Sequence, residues 1–185
     1  MKILNFATSN KNKVREFKAI FGKDYSIKHI NIKYRELRSD NPEDIARESA
    51  KKLANKLKKP VIVEDSGLFI RALNGFPGTC SAYIHKRIGL NGILKLMENI
   101  KNRECIYKSA IGFCIPGKEP LSFLGEEKGK IAEEIMGSYG FGHDPIFIPQ
   151  GSWKTYGEIK NAEKSKKFRK RAAEKLREYL NKKDY

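Results

Sequence analysis

Cysteine is scarce in this chain, and what there is lies apart. The 185 residues hold three, Cys80, Cys105 and Cys114, and none belongs to a C-x-x-C pair. An odd count without such a pair argues against a disulfide scaffold or a zinc site and fits a reducing cytoplasm. Each thiol reads as a small buried hydrophobe. No apolar run is long enough to span a bilayer, and the apolar part of MKILNFATSN is too short for a signal peptide. Repeats and linkers are also missing, so the expectation is one domain over residues 1–185. Acid is in short supply. Asp plus Glu total 22 against 38 Lys plus Arg, a net charge of +16. Such a charge draws polyanions: nucleic acid, anionic membrane or phosphorylated small molecules. The plainer reading is a solvated lysine-rich surface. An apolar share of 39% is enough for a real core and argues against a disordered tail.

The pattern that is present alternates strands with helices. Residues 2–7 read as a strand and Lys11 to Phe21 as a helix closed by Gly22. A second strand is expected over 26–33. Asn41-Pro42-Glu43-Asp44 is a helix start, with Asn as cap, Pro in the first turn and acids at the positive end of the dipole. That helix runs to about Lys58, where Pro60 stops it. An apolar strand over 61–65 follows, then a turn at Ser66-Gly67 and a glycine-rich loop over 74–79. Residues 81–98 read as a helix broken near Gly89 to Gly92. Residues 104–115 and 120–132 read as paired strands around Pro116-Gly117. A flexible loop, Gly137 to Gly142, precedes a short strand at 146–148. From Ala162 onward the chain reads as a basic helix with Ala172, Ala173, Leu176 and Leu180 inward.

Four stretches carry candidate chemistry. Thr8-Ser9-Asn10-Lys11-Asn12-Lys13 opens a helix straight after a strand, where amides and dipole attract anions and Lys13 lies one turn in. The Walker A spacing is absent, and an ordinary cap with solvated lysines is the competing reading. Glu64 and Asp65 close a very apolar strand, with Glu36 in the preceding polar segment. Buried acids need compensation, and Mg²⁺ supplies it most simply because it takes oxygen ligands and bridges phosphates. Alternatively Asp65 is a turn cap and Glu36 a surface residue. Phe141-Gly142-His143-Asp144 offers a ring, a flexible joint and a carboxylate, which suit stacking on a base and bonding its edge. No second His or Cys is spaced to make His143 a metal ligand. Lys164 to Arg171 is a run of cations, either a solvated face or donors to phosphates and base.

Together these stretches resemble the inosine triphosphate pyrophosphatase (Ham1-like) family, which hydrolyses noncanonical purine nucleoside triphosphates. The matching segments are ATSNKNKVREF at 7–17, VEDSGLFIRALNGFPGTCSA at 63–82, FGHDPIFIP at 141–149, and Thr155, Glu158, Glu163 and Lys164. The resemblance implies an α/β fold with a long twisted mixed sheet flanked by helices, two lobes and a central cleft. It implies a homodimer that uses Mg²⁺ to convert ITP, dITP and XTP to the monophosphate and pyrophosphate. By position, Asp65 is similar to the general base and a metal ligand, and Glu36 to the other metal carboxylate. Thr8 to Lys13 and Ser66 resemble triphosphate contacts. Phe141, Gly142, His143, Asp144 and Lys164 resemble the elements that read the nucleotide.

The family's Ser-His-Arg is absent. Phe168-Arg169-Lys170 stands there. Either Arg169 and Lys170 replace the histidine and arginine, or one residue is deleted and Arg169 is the arginine. The loop at Ser39 to Asn41 is also a residue longer than usual. Two other readings remain open on the same scaffold. One is a basic nucleic-acid-binding protein with weakened catalysis, and the other is hydrolysis of a different modified nucleotide.

Overall fold

A computed structural model describes residues 2–22 and 24–183. Strand β1 (Lys2–Ala7) leads into helix α1 (Lys11–Phe21), capped by Asn10, whose side chain accepts from the amides of Asn12 and Lys13. Strand β2 (Tyr25–Ile30) pairs in parallel with β1. The expected strand over 26–33 therefore stops short, and residues 31–40 have no regular structure. Ile32 and Tyr34 still pack inward, which gave that stretch its strand-like alternation. Helix α2 (Pro42–Leu57) starts as expected, with Asn41 accepting from the Glu43 amide and proline in the first turn.

Strand β3 (Val61–Ile70) is twice as long as the sequence suggested. Ser66 and Gly67 do not turn. They sit in register opposite Ser109 and Lys108 of β5 (Glu104–Cys114). Gly67 serves close approach instead: a Cβ there would stand 2.1 Å from the carbonyl oxygen of Gly78. Gly78 belongs to β4 (Pro77–Gly78), which pairs antiparallel with β3 at Leu68 and Phe69. The glycine-rich segment thus folds back as a short strand. Helix α3 (Ser81–Leu96) is kinked at Gly89, whose φ of +65° suits glycine.

Strands β5 and β6 (Leu121–Ile131) form a long antiparallel ribbon, and β7 (Phe147–Pro149) adds to β6. Helix α4 (Lys167–Lys182) covers the sheet, entered through a short 3-10 turn at Ala162–Lys164 rather than as one helix from Ala162. The result is a seven-stranded mixed sheet in the order β2-β1-β3-β5-β6-β7, with β4 on β3, flanked by four helices.

Apolar residues meet in three clusters. Phe6, Phe17, Ile62, Ile111, Leu176 and Leu180 bury the α1 and α4 face of the sheet. Ala7, Ala46, Leu53, Val61, Val63 and Ala110 bury the α2 face. Leu68, Ile93, Met97, Phe147 and Phe168 gather around α3 and β7. Burying each large aliphatic or aromatic side chain contributes roughly 1.5–3 kcal/mol. Cys105 and Cys114 are buried as expected, whereas Cys80 is exposed at the start of α3.

Candidate active site

Strand pairing makes the site. One edge of β3 is covered throughout by β5. On its other edge, β1 pairs at Ile62 and β4 at Leu68 and Phe69. Between those points, Glu64, Asp65 and Ser66 face a notch beyond the end of β1. Sheet alternation then sorts the side chains. Glu64 and Ser66 share the face of Ile62, toward α1 and α4, while Asp65 shares the face of Val61 and Val63, toward α2. A cavity of about 740 Å³ opens there, within the range of small-molecule sites. Its lining reaches from Thr8 and Lys13 to Phe141 and Arg169.

Lys13 closes the notch from α1. Its Nζ donates at 2.8 Å to the carbonyl of Glu64, an acceptor left open on the strand edge, and at 2.8 Å to the Glu64 carboxylate. Glu64 also accepts from Ser109 Oγ at 2.7 Å and from Arg169 at 3.1 Å. Burial alone would raise the proton affinity of Glu64. The Arg169 guanidinium and the Lys13 ammonium outweigh that and hold its pKa at about 2. Arg169, fully buried, also donates to Ser66 Oγ at 3.2 Å and forms an ion pair with buried Glu16 of α1. Glu16 in turn binds Lys166 Nζ at 2.5 Å, and the same ammonium binds Asp144 Oδ2 at 2.7 Å. Three cations and three carboxylates are thereby mutually paired.

Asp65 stands outside that network. It is 8% exposed, and its Oδ2 is a buried atom with no hydrogen-bond partner. Burial pushes its pKa up to about 7; Lys13 opposes the rise, and the charges of Glu64 and Glu36 add to it. Glu36 comes from the irregular segment after β2, and Tyr34 of the same segment lines the cavity with it. Burial and the charges of Glu36 and Asp65 keep that phenol protonated. Among the described residues no group of three or more His, Cys, Asp or Glu side chains forms a self-sufficient metal cage. Two carboxylates, one with an orphaned oxygen, nevertheless fit Mg²⁺, which is commonly held by one or two carboxylates plus substrate phosphates.

At the far end, Phe141 lies under the Lys166 ammonium, 4.6 Å from the ring centroid. Asp144 accepts the Phe141 amide at 2.7 Å, which fixes the loop. His143 is buried, its ring edge-on to His85 of α3 at 5.2 Å, and its Nε2 has no partner. Burial first, and then His85, lower its pKa to about 4, so the imidazole is neutral.

The sequence profile of the Ham1 family matches residues 4–179. The chain belongs to the Ham1 family. It is 48% identical over 181 residues to the dITP/XTP pyrophosphatase of Methanopyrus kandleri, covering 97% of this chain and 96% of that one. It is 46% identical over 167 residues to the dITP/XTP pyrophosphatase of Pyrococcus horikoshii, covering 89% and 88%. The solved Staphylococcus aureus Ham1 protein superposes with a TM-score of 0.84 at 30% identity, over 98% of this chain and all of that one. A nucleoside-triphosphatase / dITP/XTP pyrophosphatase from Mycobacterium abscessus gives 0.71 at 30% identity, over 89% and 92%.

In this Ham1 protein most of the residues singled out in the sequence line one cavity. Thr8, Ser9, Asn10, Asn12 and Lys13 form one wall, Glu36, Asp65 and Ser66 the floor, and Phe141 to Asp144 with Arg169 the far wall. Asn10 takes the amides of Asn12 and Lys13 for its own cap. Anion attraction at this helix end therefore falls to the dipole and the Lys13 ammonium. Lys11, Lys164 and Lys170 are not part of the lining. Lys170 follows Arg169 on α4 and points about 100° away, toward Glu174 at 3.8 Å. Lys164 is exposed on the 3-10 turn. Lys166, buried at 1% exposure, reaches the cavity instead. Of the two alignments left open, the geometry puts Arg169 inside and Lys170 outside. Sequence reasoning missed Lys166, Glu16, Tyr34 and His85. For Glu16 a signal was present, an acid beside Val14, Phe17 and Phe21 on the inward stripe of α1.

Proposed function

We propose that the protein is a Mg²⁺-dependent pyrophosphatase that converts ITP, dITP and XTP to their monophosphates, removing deaminated purine nucleotides from the pool. The observation that carries this is Asp65, a buried carboxylate with one unpartnered oxygen on the cavity floor, set beside a network of paired charges. A general base must lie within reach of the proton it takes, and an open carboxylate oxygen facing the cavity can accept one. The similarity to proteins named dITP/XTP pyrophosphatase supports the choice of substrate.

In this reading the triphosphate lies along Thr8 to Lys13, and the base reaches Phe141. Asp65 takes a proton from water as the water oxygen attacks the α-phosphorus. The bond between that phosphorus and the oxygen bridging to the β-phosphorus breaks, and pyrophosphate leaves. Lys13 and Ser66 donate to phosphate oxygens, stabilising charge that grows in the transition state. Arg169 and Glu16 hold Glu64 and Ser66 so that β3 presents Asp65 in one place. Mg²⁺, held by Asp65 and Glu36, would offset the phosphate charge and orient the chain of phosphates. The reading includes one domain, a cytoplasmic location and a homodimer. Tyr83, Ile88 and Leu96 of α3 are exposed apolar side chains available to a second copy.

A panel of ITP, XTP, dITP, GTP and ATP, assayed for pyrophosphate with and without Mg²⁺, tests the proposal. Release from ITP and XTP that needs the metal is expected. Orthophosphate as the product, or equal turnover of ATP and ITP, rejects it.

A further inference from the structure

Cations on this surface are of two kinds. Some are neutralised by acids: Lys51 and Lys52 of α2 pair with Glu119 and Glu48, and Arg71, just after β3, pairs with Glu104. The outer face of α1 differs. Lys11, Arg15 and Lys18 are exposed there. Spacings of four and seven residues put them in one row about 10 Å long. The one acid of that helix, Glu16, is turned inward and buried. Its ion pairs with Lys166 and Arg169 hold the last 3-10 turn and the start of α4 against α1. Exposed Lys164 and Lys167 extend the row from there. Among the described residues none of these five forms a salt bridge, whereas Lys170, a turn further on, meets Glu174. Half-buried Glu163 is the one acid within the 3-10 turn. Like charges gathered without counter-charges repel one another, and a bound polyanion relieves that repulsion.

The same face offers no large apolar side chain. The exposed ones, among them Tyr83, Ile88, Leu96 and Trp153, lie on other segments. A membrane-binding face buries apolar residues at the headgroup boundary, and a protein hot spot is built on aromatic anchors. A row of bare cations suits a phosphate backbone, and duplex DNA presents one charge about every 1.7 Å of its axis. We propose that the outer face of α1, with Lys164 and Lys167 beside it, binds double-stranded DNA through its phosphates without reading sequence. This goes beyond the pyrophosphatase reading and does not depend on it. Each cation that meets a phosphate releases a condensed counterion, so binding weakens steeply with salt.

The test is fluorescence anisotropy of short labelled duplexes of two unrelated sequences, titrated between about 50 and 200 mM KCl. Equal affinity for the two sequences is expected, with log Kd rising against log salt at a slope of about 4.5 for five contacts. The triple variant Arg15→Gln, Lys18→Gln, Lys167→Gln should bind more weakly, with a slope of about 2. A control of the same net charge, Lys56→Gln, Lys95→Gln, Lys101→Gln, changes exposed lysines elsewhere and should keep the wild-type slope. All six positions are on the surface, where substitutions seldom disturb a fold. Wild type that leaves both duplexes free at the lowest salt overturns the proposal. Equal weakening by the two triple variants overturns it too, since bulk charge and not this face would then be responsible. A clear preference for one sequence, or binding to phosphatidylserine vesicles in place of duplex, also overturns it.

Discussion

Removing the charge of Asp65 should make the metal-free protein more stable, although it removes the base. The folded protein raises this carboxyl from its usual 3.8 to about 7, chiefly by burial. Between those values the folded state holds a proton that the unfolded chain has lost. Stability therefore falls as pH rises through that window, and the loss is complete above the folded pKa. At about 1.4 kcal/mol for each tenfold change in proton affinity, the penalty at pH 8 is on the order of 4 kcal/mol. Asp65→Asn escapes it. Its buried amide lacks a full set of partners and gives back about 1–3 kcal/mol. The net gain is then about 1–3 kcal/mol, or roughly 5 °C in Tm for a chain of this size. Thermal unfolding in EDTA at pH 8 and pH 5, wild type beside variant, measures it. The gain should shrink at pH 5, where the wild-type carboxyl is largely protonated. Saturating Mg²⁺ should raise the Tm of wild type at pH 8 more than that of the variant. A variant less stable than wild type at pH 8 without metal, or an advantage indifferent to pH, refutes the reasoning.

Other substitutions probe neighbouring parts of the argument. Gly67→Ala pushes a methyl group to 2.1 Å from the Gly78 carbonyl oxygen and 2.6 Å from its carbon. Separating β3 from β4 to make room should cost about 3 kcal/mol, seen as a lower urea midpoint. Lys13→Met leaves Glu64 with Arg169 and Ser109, so the fold should survive. Its kcat should fall about 10²-fold to 10³-fold, as when one preorganised donor to transition-state charge is lost. An unaltered rate would mean that Lys13 serves only the strand edge.

The sequence exposed the fold best where local chemistry and packing agree. Asn10 and Asn41 cap the helices expected of them, and Gly89 kinks α3. It misled where a residue serves something distant. Ser66-Gly67 carries turn chemistry, but Gly67 is small because Gly78 crosses it, and no local rule reports a strand eleven residues away. The site shows the same division. Asp65 was legible because an acid ending an apolar run is costly without compensation. Lys166 was not, because among Lys164, Lys166 and Lys167 only packing decides which lysine turns inward. Its partner Glu16 lies 150 residues away. Lys170 was chosen as one candidate for the family's arginine by alignment, and helix geometry turns it away from the cavity that Arg169 lines.

In the proposed reaction the Asp65 carboxylate activates the water that splits the triphosphate. The direct measurement is pyrophosphate release from ITP at saturating Mg²⁺ by wild type and Asp65→Asn, both shown to be folded. Loss of the base should lower the rate by about 10²-fold to 10⁴-fold. A variant that releases pyrophosphate at the wild-type rate would contradict the account.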